Sequence, residues 1–265
     1  MRNYCLALLF VASLTACGGA QQPGPPSPDT ARNGVRLRGY NYDEKNFFDA
    51  VRGGDYGGVN DFLAAGMNPN TVGAKNESAL VVAASKNDVK MLQTLLNGKA
   101  DINFRGENAD TPLVRAARIN APESIRFLLS QKADPNVPGA GESRALHFFV
   151  DNGDETLIAE VLEKGANVNA QDDNGDTALN TPAIRGDESL TRLLLDKGAN
   201  PNLQNKSGGN PLIYAAANGF PSVVRVLLEK GANPALKDSK GRTAADWARQ
   251  QKQTEVLTLL STAKK

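Results

Sequence analysis

The chain of 265 residues has a single His, two Cys and one Trp, and only 6% of its residues are aromatic. One His leaves no second imidazole for a metal site, and little material for His- or Cys-based catalysis. A field of one sign is missing too. Thirty Lys and Arg stand against 29 Asp and Glu, a net charge of +1. Without the first sixteen residues, which hold Arg2 and no acid, the two signs balance. Nothing then steers polyanions toward the molecule as a whole, so nucleic acid is not an expected partner and specificity has to come from local patches. What is present, 40% hydrophobic and 22% charged residues, excludes a collagen-like, coiled-coil or wholly disordered chain and allows one large or two ordinary domains.

Long hydrophobic runs are also lacking. The apolar stretch Leu6 to Leu14 is too short for a spanning helix, which needs about 20 apolar residues. With Arg2 ahead of it and small residues behind it, the stretch has the layout of a cleaved export signal. Leu14-Thr15-Ala16-Cys17 resembles the lipobox of bacterial lipoproteins. That resemblance implies a diacylglycerol on Cys17, cleavage before it, and acylation of the new N-terminus. Several acyl chains on one residue anchor stably where one would not. Gly18 resembles the class sorted to the outer membrane, so the implied address is the cell envelope, lipid-anchored to the outer membrane and facing the periplasm. Cys5 would leave with the signal and Cys17 be consumed by lipid, leaving no thiol for a disulfide. From Ala20 to about Gly34, Pro23, Pro25, Pro26 and Pro28 stand among Gln, Gly and Ser. This composition buries little and tends to polyproline II, a tether. The expected organisation is a signal over 1–16, a lipidated Cys and tether over 17–39, and a folded domain over 40–265.

Within that domain a 33-residue period aligns Gly66, Lys99, Lys132, Gly165, Gly198 and Gly231. Apolar pairs such as Leu128-Leu129 and Leu194-Leu195 precede this column, and Asn70, Asn103, Asn136, Asn169 and Asn202 follow it by four residues until Ala235 breaks the step. A second column holds Ser78, Thr111, Arg144, Thr177, Asn210 and Thr243. Thr111-Pro112 has the chemistry of a helix start, because a capping hydroxyl precedes a Pro whose missing N–H had no partner. Gly54, Asn87, Asn120, Gly153, Gly186 and Gly219 tolerate the left-handed backbone that ends such a helix. A second, Leu-rich helix follows, and turn residues such as Asp172-Asp173-Asn174-Gly175 form a hairpin tip.

This pattern resembles the ankyrin repeat, most closely over Asp172 to Asn202 and Asn205 to Asn233. The resemblance covers about Asn41 to Thr262 and implies an all-α repeat solenoid, an ankyrin array of about seven helix-pair units with short hairpin tips. Such units cannot bury their own apolar faces and stack into one elongated domain. His147 occupies the His column of the opening motif, where the family uses it for structural hydrogen bonds. Asp172, Asp173 and Asp176 lack the spacing and distal Glu of a calcium loop and are explained as turn residues. No cofactor, metal, catalytic group or small-molecule substrate is expected.

The family implies protein binding through the hairpin tips and the first helices, which line a concave face, although a fold does not name its ligand. One row of that face runs Asp49, Val82, Arg115, Phe148, Thr181, Tyr214 and Trp247. Arg115, Phe148, Thr181, Tyr214 and Trp247 are the candidate contacts, since aromatic and Arg side chains make good interface anchors. For Phe148 and Trp247, filling space beside their own helices stays open as the other reading. Candidate tip contacts are Arg105, Glu107, Asp110, Asp173, Asn174, Asp176, Lys206, Lys240 and Arg242, with Ser207 and Lys237 beside them. The unit Pro138 to Gly165 departs furthest, with Arg144 for the capping Thr and Phe149-Val150 for the small Ala pair; a specialised contact and compensated drift both fit. Pro182 either fits the early turns of its helix or kinks them. The expected function is non-enzymatic binding of a protein partner. Two forms of it are open: an immunity protein against a secreted antibacterial toxin such as a phospholipase, or an envelope adaptor supporting periplasmic enzymes or oxidative-stress defence.

Overall fold

The computed structural model describes residues 26–106 and 109–262. The signal segment, Cys17 and the tether up to Pro25 lie outside the described residues. Within them are α1 (Pro28–Leu37), α2 (Glu44–Gly53), α3 (Tyr56–Ala64), α4 (Ala79–Ser85), α5 (Val89–Asn97), α6 (Pro112–Arg118), α7 (Pro122–Ser130), α8 (Ala145–Asn152), α9 (Glu155–Glu163), α10 (Asn180–Arg185), α11 (Glu188–Asp196), α12 (Pro211–Asn218), α13 (Pro221–Glu229), α14 (Ala244–Gln250) and α15 (Thr254–Thr262). From α2 onward these are seven antiparallel pairs. The first helices of successive pairs, α2 to α14, pack side by side as an inner row. In the outer row α3 packs on α5 and α5 on α7, and again α11 on α13 and α13 on α15. Isolated bridges, Val72 with Ser78 and Gln171 with Thr177, close two of the hairpin tips.

The two columns of the period do the local work expected of them. Ser78, Thr111, Asn210 and Thr243 cap α4, α6, α12 and α14, each accepting from the N–H three residues on. Asp55, Asp88, Asp154 and Asp187 do the same for α3, α5, α9 and α11, and the negative charge also suits a helix N-terminus. Lys99 and Lys132 take left-handed φ values of 66° and 65°, where the other units place Gly. That conformation costs a β-carbon about 1–2 kcal/mol.

One expectation changes, and the open reading of Pro182 is decided. Residues 28–37, assigned to the tether, form α1: Ser27 caps it, Pro28 fills its first turn, and Ala31 and Val35 are buried where it packs on α3. Pro28 suits a helix start, and no further Pro interrupts the residues after it. The folded body therefore begins before residue 40. In α10 the first helical residue is Asn180, not Ala178, and Leu179 stands at its cap. Pro182 has no N–H to give the Ala178 carbonyl, so the first turn is replaced by a tighter bond from Asn180 N–H to Thr177 O at 3.0 Å. The short α10 has only a narrow close approach to α8.

One polar series runs the length of the array. Asn70, Asn103, Asn136, Asn169 and Asn202 each accept at Oδ1, at 2.7–2.9 Å, the backbone N–H of the residue 31 positions later in the following unit. The Nδ2 groups of Asn136, Asn169 and Asn202 donate to the carbonyls of Gly165, Gly198 and Gly231. A second series joins the tips: Arg105 donates to Pro138 O, Gln171 to Gln204 O and Gln204 to Lys237 O. Pro138 breaks this column, because its side chain carries no donor. Arg144 supplies the missing link at 2.9 Å to Gln171 O, which gives the departure at the capping position a structural role.

Asn169→Ala removes two inter-unit bonds and is expected to lower stability by about 1–2 kcal/mol. Lys99→Gly relieves left-handed strain and is expected to raise it by up to about 1 kcal/mol. Urea unfolding midpoints check both; equal midpoints for Asn169→Ala and wild type would remove the series as a stabilising element.

Candidate partner-binding face

The inner row and the tips lie together, and most of the candidate side chains are engaged with their own scaffold. In the last two units a residue in the tip bonds the inner-helix aromatic nine positions later. Asn205 Nδ2 donates to Tyr214 Oη at 2.6 Å, and Trp247 Nε1 donates to Asp238 Oδ2 at 2.9 Å. Arg242 pairs with Asp238 at 2.9 Å and stacks 3.8 Å over the Trp247 ring. Burial alone would push the Asp238 carboxyl up. The N–H groups of Arg242 and Lys240, the Arg242 guanidinium and the indole outweigh it and hold the group down at about 2, against an ordinary 3.8. Burial and the nearby Asp176 carboxylate raise the Tyr214 hydroxyl. Tyr214, Trp247, Ile213, Ser207, Lys240 and Arg242 line a cavity of about 240 Å³ between these two units.

A second cluster sits at the third unit. Asp110, placed by its column on a tip, has only 3% of its side chain exposed. Arg118 donates to both its oxygens at 3.0 Å, the Ala140 N–H donates at 3.1 Å, and the Arg115 guanidinium pairs with it at 3.1 Å. Arg115 also reaches Glu77 at 3.3 Å, and Arg118 stacks 4.4 Å over Phe148. Asp110 thus serves as an internal anchor, its carboxylate held by the Ala140 N–H and the two arginines.

The remaining candidates divide in the same way. Thr181 donates to Asp151 at 3.1 Å. Asp176 accepts from the side chains of Asn180 and Asn205, and Arg105 is spent on the carbonyls of Pro138 and Gly139. Asp173, Asn174, Lys206 and Lys240 have exposed side chains at the tips, but their backbones are stitched: Asp173 N–H donates to Gly141 O and Lys206 N–H to Asn174 O. Asp172 Oδ1 accepts from the N–H groups of Asn174 and Asp176, which is the turn expected there. Glu107 lies outside the described residues. His147 Nδ1 accepts the Arg144 N–H at 3.1 Å, a structural bond at the start of α8. The residues not foreseen are Glu77, Arg118, Asn205 and Asp238, which hold the anchors, and the exposed Ile119 and Ile184 at the ends of inner helices. The nine-residue offset from tip to inner helix was present in the sequence as a signal for the Asn205 and Asp238 pairs.

The family described as ankyrin repeats in three copies matches residues 47–139, 140–205 and 183–265. The chain belongs to the ankyrin-repeat family. The solved ankyrin repeat domain from Acinetobacter baumannii AYE, a crystal structure at 1.00 Å, is similar at 29% identity with a TM-score of 0.64, over 70% of this chain and 97% of that one. None of the curated proteins matches this chain. Ankyrin repeats are protein-interaction modules, and such domains are generally non-enzymatic.

The Asp238 anchor gives a pH test. Its lowered carboxyl contributes stability that is present above the ordinary carboxylate range and is lost as pH falls through about 2. Asp238→Asn is expected to cost about 1 kcal/mol at neutral pH, with the gap to wild type closing as pH falls from about 4 to about 2. Thermal melts of the two proteins over that range check it; a gap independent of pH would refute the assignment.

Proposed function

We propose that this ankyrin chain is a non-catalytic binder that takes one protein partner along its inner helices and tips, and that it is held at the bacterial envelope by lipid on Cys17. The observation that supports binding is the preorganised face. Arg115 is held by ion pairs, and Tyr214 and Trp247 by hydrogen bonds, to their own tips before any partner arrives, so little side-chain entropy is left to lose on association. The envelope address is supported by the Leu14-Thr15-Ala16-Cys17 pattern. In the concrete form, the partner is a secreted antibacterial toxin such as a phospholipase, and the array is its immunity protein, covering the toxin's active site.

Affinity capture from envelope extracts with the full chain in mild detergent, read by mass spectrometry, tests this. A single stoichiometric partner supports a dedicated binder, and a toxin inhibited on mixing supports the immunity form. A spread of weak partners would overturn the one-partner reading in favour of an envelope adaptor. Ile184→Arg puts a charge on the inner row at a side chain that is 45% exposed. It is expected to reduce capture about tenfold or more while shifting the melting midpoint by no more than about 2 °C, as surface changes do. Arg115→Ala is a poorer probe, because it removes one of the groups that neutralise Asp110. Cys17→Ala is expected to abolish labelling by radioactive palmitate and release the chain from membranes; retained labelling would refute the anchor.

A further inference from the structure

Among the described residues, the Arg115 and Arg118 cluster holds donors that its own acids do not consume. A cavity of about 320 Å³ opens over it, lined by Lys75, Glu77, Asp110, Arg115, Arg118 and Ala140. Asp110 is filled from within: both Arg118 bonds and the Ala140 N–H converge on a carboxylate that is 3% exposed. Glu77 takes one Arg115 nitrogen at 3.3 Å. Three cations among the described residues thus face two acids. Among the described residues, the Nη1 groups of both arginines have no partner, and neither does Lys75 Nζ. Arg115 Nε is buried and lies 3.1 Å from Asp110 without a hydrogen-bonding direction to it.

We propose that this cavity is a carboxylate-binding subsite for an acidic side chain or the chain-terminal carboxylate of the partner. The proposal rests on the protein-binding reading above and adds the chemistry of one contact. A guanidinium is a planar fork of donors suited to a carboxylate, and these two are already immobilised, Arg118 by Asp110 and the Phe148 ring and Arg115 by Asp110 and Glu77. The guanidinium and ammonium donors left over suit the two oxygens of a carboxylate. A doubly charged phosphate would meet Glu77 at the rim with more repulsion than a monoanion does. The subsite is also far from the aromatic cavity at Tyr214 and Trp247. The inner helices α8, α10 and α12 lie between α6 and α14, and with neighbouring axes about 8–10 Å apart the separation is on the order of 30–40 Å. A partner that fills both presents an acidic group and an apolar side chain at that spacing.

The test uses the full chain and four fluorescent hexapeptides: all-glutamate with an amidated end, Gly-Ser with a free carboxyl end, Gly-Ser amidated, and a phosphoserine peptide. Anisotropy titrations are expected to show binding of the first, the second or both, which separates side-chain from chain-end recognition, and none of the amidated Gly-Ser peptide. Lys75→Glu is expected to weaken binding about fivefold and Glu77→Gln to tighten it about threefold, with melting midpoints unchanged and binding falling as salt is raised. No carboxylate binding by wild type, binding indifferent to both variants, or preference for phosphoserine would overturn the subsite. If the partner is still captured in that event, the failure belongs to the subsite alone and the binding reading stands.

Discussion

The constraint on which this molecule depends is that no unit is finished by itself. A pair of short helices cannot bury its own apolar face, and the loop that follows it leaves backbone groups without local partners. The asparagine four residues after the Gly66 column meets the second need. Its carbonyl accepts from the next unit's backbone and, in three units, its amide donates there as well. Each unit therefore supplies the polar completion of its neighbour, while Leu and Ala side chains between the rows supply the apolar one. Ala235 stands at the next position of the column, and the series stops there.

That division explains why the fold was readable and the site only partly so. Caps, helix ends and turns are local chemistry repeated every 33 residues, and repetition separates them from chance. Where the period was broken, reading was hardest. Pro182 gave no sign of whether it would kink a helix or shorten it, since that depended on what the freed Ala178 carbonyl could find. Ala31 and Val35 were hidden in a Pro-rich context, and their burial depends on α3, a helix distant in sequence. Asp110 falls in a tip column, which makes it a candidate contact, but its environment is set by Arg118, eight residues on, and by Ala140 in the next unit. Columns identify equivalent backbone positions; they do not say which charges meet across units.

Three of the candidate anchors share one design. Each of these three long side chains on the inner row is held by a group from a tip: Tyr214 by Asn205, Trp247 by Asp238, Arg115 by Asp110. The same tips are stitched to one another through their backbones and through Arg105, Arg144, Gln171 and Gln204. The face is thereby coupled to the edge of the array, and a shift of one tip is a shift of the side chain beneath it.

The approach between α8 and α10 is the narrowest of the inner row. The apolar core continues through it, with Phe149 and Val150 on one side and Leu179 and Ala183 on the other, and polar links run beside that core, among them Arg144 to Gln171, Asp151 to Thr181 and Glu155 to Ser189. The angle at that join helps to set how far apart the Arg115 cluster and the Trp247 cavity stand. A rigid partner that grips both ends would set the curvature of the array as it docks.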